Sequence, residues 1–260
     1  MTNFQIGAQL YSVRNYCKEP EMMLACLKTL KGIGYNACQL SGHNKDFTAE
    51  QLRAMLDEAE MTCPCTHISF AEMEADIEKV ICDHKTLGCA YPGIGGLPEE
   101  FRATPEGYID FARRASKVAE RLRDAGQTFI YHNHAFEFDR FPQIGKTGME
   151  LLMEHCSDAV QFELDTYWVQ TGGGNVLEWI EKVRGRMDVV HFKEMNGTPA
   201  NKSVIAPIGA GNMNWKAIMD ACDAIGVKYA MIEQDNAADG NSIDCMRFSH
   251  NTLSKLGGRF

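Results

Sequence analysis

The sequence predicts one (β/α)8 barrel, on three observations. Short β-rich apolar segments alternate with helical patterns along all 260 residues, and eight such segments are present. No linker, low-complexity segment or block of like charges interrupts this alternation, which predicts a single barrel domain over residues 1–260. Polar side chains collect where the later predicted strands end, and that is the edge at which barrels of this kind carry their sites.

The predicted strands are short, rich in β-branched and aromatic residues, and separated by helical segments. They cover residues 4–9, 37–40, 63–70, 89–94, 128–133, 160–165, 189–193 and 229–233. Between them, apolar residues recur at three- and four-residue spacing within 52–59, 77–87, 111–122 and 176–183. Further helices are predicted at 21–30, 149–156, 215–225 and 243–256.

A doubly wound sheet is the main alternative fold. Such a sheet normally has fewer strands and a glycine-rich turn after the first one. Here the first strand continues into QLYSVRN, which contains no glycine. The glycines of the YPGIGG run and the triplet Gly172–Gly174 also lack a strand–GxGxxG–helix context and predict loops, as does the segment TYWVQT before that triplet.

Charge and composition exclude several classes of protein. The formal net charge of −9 and the lack of a Lys/Arg cluster argue against a nucleic-acid partner. No secretion signal and no apolar run long enough to span a bilayer is visible, so we expect a cytoplasmic protein without a membrane partner. The ten cysteines are scattered singly and predict reduced thiols, and Cys63-Pro-Cys65 lacks the second pair that a zinc ribbon needs.

Four consecutive strands end in side chains that can bind metals or transfer protons. The fifth ends in YHNH with Glu137 just beyond, the sixth in Asp165, the seventh in His191 and Lys193, and the eighth in Glu233 and Asp235; the third contributes His67. Asp165, His191 and Glu233, with one ligand from the fifth strand, form a nitrogen and oxygen set suited to Mn²⁺, Zn²⁺, Co²⁺ or Mg²⁺. Any one of these residues alone could equally be a satisfied polar group at a strand end.

The alternation of side chains along a strand pairs these residues further. His132 points to the same side as His134, and His191 to the same side as Lys193. Each pair can therefore place a metal ligand beside a group that transfers protons or positions substrate. A nearby divalent ion would lower the pKa of Lys193. His67 and Asp235 are expected to contact substrate. Trp168 and Tyr167 could line a sugar pocket by stacking, which we favour for Trp168, or could simply cover the core.

Seven segments, in order, resemble the sugar phosphate isomerase/epimerase superfamily, whose xylose-isomerase-like TIM barrels include inosose dehydratases, keto-sugar epimerases and endonuclease IV. They are GAQLYSVRN, THISF, YHNHAFEF, LDTYWVQTGG, HFKEMN, APIGAGNMNW and IEQDN. The YHNH form is similar to the branch near inosose dehydratase and the enzymes that act on 3-keto-glycosides. The resemblance covers essentially the whole chain and implies four metal ligands, one at the end of each of strands five to eight.

The ligand pattern implied by the resemblance matches this chain directly at Asp165, His191 and Glu233, whereas the fifth strand departs from that pattern. Epimerase-like members carry glutamate where this chain has His132, so the ligand is predicted to be His132, with Glu137 as the alternative. The dehydratase-like members imply that His134 and Lys193 handle protons. Two further departures are Ala210 and Gln39, each at a position that is often acidic in relatives.

We therefore expect a metal-dependent sugar isomerase or epimerase that removes a proton α to a carbonyl, or nearly equally a dehydratase or lyase acting on a keto-inositol or 3-keto-glycoside. The metal and Lys193 would stabilise the enediolate, and His134 and Glu137 are the candidate acid and base groups. Two other classes stay open: a DNA-repair nuclease like endonuclease IV, disfavoured by the charge, and a barrel that binds sugar without catalysis. The partner is a small carbohydrate, and the oligomeric state is open, a homo-oligomer being one option.

Overall fold

The chain folds as the predicted barrel. A computed structural model describes residues 1–237 and 241–260. The barrel strands are β1 Gln5–Gln9, β2 Ala37–Leu40, β3 Thr62–His67, β4 Tyr91–Ile94, β5 Phe129–His132, β8 Val160–Glu163, β9 Val189–Phe192 and β12 Tyr229–Ile232. They form one parallel sheet in the order β8-β5-β4-β3-β2-β1-β12-β9, which confirms the fold class and excludes the doubly wound alternative.

Helices cover the outside of the sheet, and every predicted helix is present. They are α1 Pro20–Ile33, α2 Ala49–Glu58, α3 Phe70–Ala75, α4 Ile77–Leu87, α5 Pro105–Asp124, α6 Gly148–His155, α7 Thr166–Thr171, α8 Val176–Lys182, α9 Trp215–Ile225 and α10 Ser242–Lys255. Thr48 and Thr147 begin α2 and α6 with reciprocal capping boxes. Gly34 ends α1 at φ +127°, a backbone conformation that suits glycine.

The sheet closes between β8 and β9, at two of the predicted ligands. Asp165 and His191 form a parallel bridge there, and the amide of His191 donates a 2.8 Å hydrogen bond to the Leu164 carbonyl. Lower in the barrel the amide of Phe162 donates to the Arg186 carbonyl at 2.8 Å. This closure therefore brings together the carboxyl ends of β8 and β9, which are the sixth and seventh predicted strands.

Four segments differ from the prediction. The first is residues 68–70, which are predicted as strand but follow the end of β3 at His67, with α3 beginning at Phe70. The stretch after Asp165 is the helix α7 and not a loop, because the Asp165 side chain caps its first turn. Between His191 and α9, the strands β10 Glu194–Gly197 and β11 Ser203–Ala206 form a hairpin that the sequence did not reveal. Two short strands, β6 Arg140–Phe141 and β7 Lys146–Thr147, form a second hairpin.

Buried Glu194 holds the loop of residues 207–215 against the hairpin formed by β10 and β11. Its carboxylate accepts hydrogen bonds from the amides of Gly209 and Met213 and from the indole of Trp215. The motif APIGAGNMNW thus has a structural anchor in a carboxylate that lies outside the motif.

Nine of the ten cysteines are buried, and the two groups of metal-competent side chains within residues 1–237 and 241–260 contain no cysteine. None of the helices in this part of the chain has the length and apolar character needed to cross a bilayer.

Replacing Phe162 should destabilise the barrel strongly. Its ring is 0% exposed, and Arg186 lies over it with Cζ 4.8 Å from the centroid. Phe162→Ala is expected to lower the free energy of unfolding by about 3–5 kcal/mol, because the side chain loses its contacts and leaves a cavity. Urea unfolding measures this, with Phe248→Ala as the matched control, since Phe248 is 48% exposed. Equal losses in the two variants would contradict the assignment of Phe162 to the core.

Candidate metal centre

The four side chains predicted as metal ligands converge at the carboxyl end of the barrel. His132, Asp165, His191 and Glu233 are all buried, and one donor atom of each lies within 4.8 Å of the others. His132 Nε2 is 3.3 Å from Asp165 Oδ2, and His191 Nδ1 is 3.1 Å from Glu233 Oε2. Their roles as ligands stay a prediction, and the structure places them where that role requires.

This donor set fits a divalent ion. Donor atoms bound to one ion at about 2.0–2.2 Å lie about 3–4 Å apart, so only small side-chain movements separate the observed spacing from coordination. The two carboxylates would balance the charge of the ion, and the two imidazoles complete a set without thiolate. Such a set suits Mn²⁺, Co²⁺, Zn²⁺ or Mg²⁺.

Asp165 is oriented by hydrogen bonds that divide its two oxygens between two tasks. Oδ1 accepts the amide of Trp168 at 2.9 Å and so caps α7, which leaves Oδ2 facing the imidazoles. The Asp165 amide donates to Asn133 Oδ1 at 3.0 Å. Asn133, the third residue of YHNH, therefore holds the end of the neighbouring strand in place and is not a candidate ligand of the ion.

His191 is held from its other side by a group of residues inside the barrel. Its Nε2 lies 2.6 Å from Gln39 Oε1 and 3.2 Å from Glu163 Oε1, and these bonds turn Nδ1 towards the ligand set. Burial alone would lower the pKa of His191, but Glu163 and Glu233 outweigh it and raise that pKa to about 10. Without a metal, the imidazole is a cation between carboxylates.

Lys193 lies beside the ligand set as a buried ammonium. Its Nζ is 3.0 Å from Glu233 Oε2, 3.5 Å from Asp165 Oδ2 and 2.7 Å from Asp235 Oδ2. Burial lowers its pKa, and attraction to Glu233, Asp165 and Asp235 more than reverses the effect, so the pKa is raised. The lowering expected from the sequence concerns a bound divalent ion, and it stays a prediction.

Glu137 is turned away from the ligand set. One oxygen accepts the hydroxyl of Tyr131 at 2.6 Å, and the other accepts the amide of His134 at 2.8 Å. Burial raises the pKa of Glu137 to about 8. His132, whose Nε2 faces Asp165, is therefore the better candidate for the fifth-strand ligand.

A cavity of about 380 Å³ opens directly onto the set. The residues that line it are Tyr11, Arg14, Ser41, His67, Gly95, His132, His134, Lys193, Glu233, Asp235 and Asn236. A Cβ added at Gly96 would lie 2.9 Å from the His134 ring, so glycine after β4 makes room for that imidazole.

The predicted proton-transfer and substrate residues reach the cavity to different degrees. His134 lines it and stacks on Phe136, and within the described residues its Nδ1 has no hydrogen-bond partner. Burial, and to a smaller extent the nearby His132, lowers the pKa of His134 to about 3, so its ring is neutral at pH 7. His67 and Asp235 also line the cavity, whereas Trp168 packs behind the lining, with its ring 4.9 Å from Lys193 Nζ.

Sequence reasoning missed the residues that lie beneath the ligands. Glu163 and Gln9 are both fully buried and hydrogen-bonded towards the site, through His67 and Gln39 respectively. The available signal was the period of two, since Glu163 precedes Asp165 by two residues and must face the same side. A glutamate within a predicted barrel strand would have been the cue.

Comparison with known proteins agrees with this architecture. Residues 27–248 match the family described as xylose isomerase-like TIM barrel. A sugar phosphate isomerase/epimerase from Parabacteroides distasonis has a TM-score of 0.81 and 22% identity over 97% of this chain and 94% of its own. No curated protein matches the chain.

Enzymes with different reactions share the fold. A probable 3-DHS dehydratase from Bacillus anthracis gives a TM-score of 0.73 at 12% identity, covering 96% of this chain and 99% of its own. A D-allulose 3-epimerase from Methylomonas sp. gives 0.70 at 14% identity, covering 98% and 99%. At these identities the likeness concerns the fold, and the reaction has to be inferred from the site.

The buried Glu137 makes stability depend on pH. The folded chain keeps its proton up to about pH 8, whereas an ordinary glutamate releases it near 4.5, so between these values the folded state binds one proton more. The stabilisation is complete below 4.5 and is lost as the pH rises to about 8. The free energy of unfolding of the wild type should therefore fall with rising pH, relative to that of Glu137→Gln. Urea unfolding of both proteins at several pH values tests this, and a constant difference would contradict it.

Proposed function

Because the chain belongs to the xylose isomerase-like TIM barrel family, we propose that it is a divalent-metal-dependent sugar isomerase or epimerase. Its reaction is removal of a proton α to the carbonyl of a keto-sugar or sugar-derived substrate. The observation that carries this proposal is the convergence of His132, Asp165, His191 and Glu233 at one point. Of these four, His132 and Glu233 line a cavity that His134 and Lys193 also line. A volume of about 380 Å³ falls in the range of small-molecule sites.

A divalent ion held by these four side chains would polarise the substrate carbonyl and so acidify the neighbouring C–H. The residues of the chain supply the rest. Asp165 Oδ2 and His191 Nδ1 are directed by the hydrogen bonds on their far sides, so the ligand atoms are oriented before substrate arrives. Burial of the set excludes water, which strengthens every charge interaction within it.

His134 is the candidate base. Its neutral ring faces the cavity two residues after His132, and its Nδ1 is free of hydrogen bonds within the described part of the chain. A neutral imidazole can take up the α-proton and return it to the same or to a neighbouring carbon. Return to the neighbouring carbon gives isomerisation, whereas epimerisation needs a second group at the cavity wall that delivers a proton to the opposite face of the enediolate.

Lys193 is the candidate electrophile. Its ammonium stays charged because Glu233, Asp165 and Asp235 surround it, and it lies at the cavity wall. It can donate a hydrogen bond to the substrate oxygen that gains negative charge as the proton leaves. Glu137, with both oxygens occupied outside the set, supports the His134 backbone and takes no part in proton transfer.

Elimination is the second candidate, favoured by one observation. His67 and His134 both line the cavity, so two imidazoles are available besides the ligands. Loss of water or of a glycosidic alcohol needs a base for the α-proton and an acid for the leaving oxygen. A dehydratase or lyase acting on a keto-inositol or 3-keto-glycoside would use both.

Exchange with solvent deuterium tests the proposal. In D₂O, Mn²⁺-loaded protein should introduce deuterium α to the carbonyl of at least one member of a panel of keto-sugars, inososes and 3-keto-glycosides, followed by NMR. Chelation should abolish this exchange and Mn²⁺ or Co²⁺ should restore it. His134→Asn should lower the exchange rate about 10²- to 10⁴-fold, the typical contribution of a general base, with unchanged Mn²⁺ affinity.

The substrate panel also separates the two candidates. Epimerisation and isomerisation conserve the formula of the substrate, whereas elimination releases water or an alcohol and leaves an unsaturated ketone. Full exchange by metal-free protein would refute the metal-dependent proposal, and so would the absence of exchange in every compound. Exchange at wild-type rate in His134→Asn would refute the role of His134 alone.

A further inference from the structure

A second group of polar side chains lies beneath the ligand set, further inside the barrel. It consists of Glu163, which is 0% exposed, and its partners His67, Gln39 and His191. Glu163 Oε2 accepts His67 Nε2 at 2.5 Å, and Oε1 accepts Gln39 Nε2 at 3.0 Å and faces His191 Nε2 at 3.2 Å. A fully buried carboxylate is thus surrounded by hydrogen-bond donors.

In this group, the orientation of each hydrogen bond determines the orientation of the next. An ionised carboxylate only accepts, so the Gln39 amide must direct its NH₂ towards Glu163. The Gln39 carbonyl then faces the other way, where Gln9 Nε2 donates to it at 2.9 Å and His191 Nε2 lies at 2.6 Å. Both neighbours of His191 Nε2 are oxygens, so this nitrogen must carry a proton.

The protons on these Nε2 atoms determine which nitrogen of His191 is left for the ion and which nitrogen of His67 is left for the cavity. If Nε2 of His191 carries a proton, a metal can bind only through Nδ1, the atom that faces Glu233. His67 likewise donates through Nε2, which leaves its Nδ1 beside Gly95 in the cavity wall. A Cβ at Gly95 would lie 3.2 Å from that Nδ1, so glycine keeps this side of the ring open.

We propose that Glu163, acting with Gln39, is a positioning residue that fixes Nε2–H on both His191 and His67, and so presents His191 Nδ1 to the metal. This inference rests on the metal site of the proposed function. The same atoms of His67, Glu163 and His191 could instead hold a second ion. Hydrogen bonds favour the positioning role, because the Nε2 atoms of both imidazoles and both oxygens of Glu163 are already paired.

Glu163→Gln tests this role with almost no change of shape. The new NH₂ group would oppose the donor of Gln39 or of His67, so at least one bond of the group must break. In metal-free protein, the wild type should show low-field, slowly exchanging Nε2 protons on both His191 and His67 by ¹⁵N-resolved NMR, and the variant should lose at least one of these two. Mn²⁺ affinity measured by calorimetry should fall about 10- to 100-fold, as is typical when the partner of a ligating histidine is removed.

Glu194→Gln is the matched control, because Glu194 is also 0% exposed and accepts several hydrogen bonds but contacts none of the imidazoles. It should retain both low-field protons and the wild-type Mn²⁺ affinity even if it is less stable. Retention of both protons and of full affinity in Glu163→Gln would overturn the inference. So would two Mn²⁺ ions per wild-type chain with only one in Glu163→Gln, since Glu163 would then be a ligand. A wild type that binds no Mn²⁺ would refute the proposed function itself.

Discussion

The balance of buried charge is the constraint on which the rest of this structure depends. Glu163, Asp165 and His191 are 0% exposed and Lys193 is 1% exposed, and removing such groups from water costs several kcal/mol for each charge unless neighbours compensate. Compensation is available only because parallel strands end at the same rim, where each carboxylate meets an imidazole or the ammonium. The closing bridge between Asp165 and His191 is part of this balance and also part of the sheet.

Much of this arrangement could be predicted from the sequence, because the signals were local. Short apolar runs between amphipathic helical segments predicted all eight barrel strands. The alternation of side chains along a strand correctly placed His132 on the same side as His134, and His191 on the same side as Lys193. The rest depended on contacts between distant segments. Glu163 gains its importance from His67, which lies 96 residues away in the chain. Helix α7 was missed because its aromatic and β-branched residues resemble a loop or strand, and only the Asp165 cap identifies its start.

The number of carboxylates at the rim is limited by two uncharged side chains. His132 at the rim and Gln39 beneath it contribute no carboxylate. Glu163 places one charge below the rim instead, where it contacts imidazoles and not the cavity. Two carboxylates then remain in the ligand set, enough to neutralise a divalent ion, and Lys193 takes up the charge of Asp235. Both oxygens of Glu137 accept hydrogen bonds outside the ligand set, from Tyr131 and from the amide of His134.

Anomalous scattering from crystals grown with Mn²⁺ locates the ion independently of any activity. We expect one manganese peak bonded to His132, Asp165, His191 Nδ1 and Glu233, with Glu137 still bonded to Tyr131. A peak coordinated by Glu137, or coordination of His191 through Nε2, would contradict this expectation.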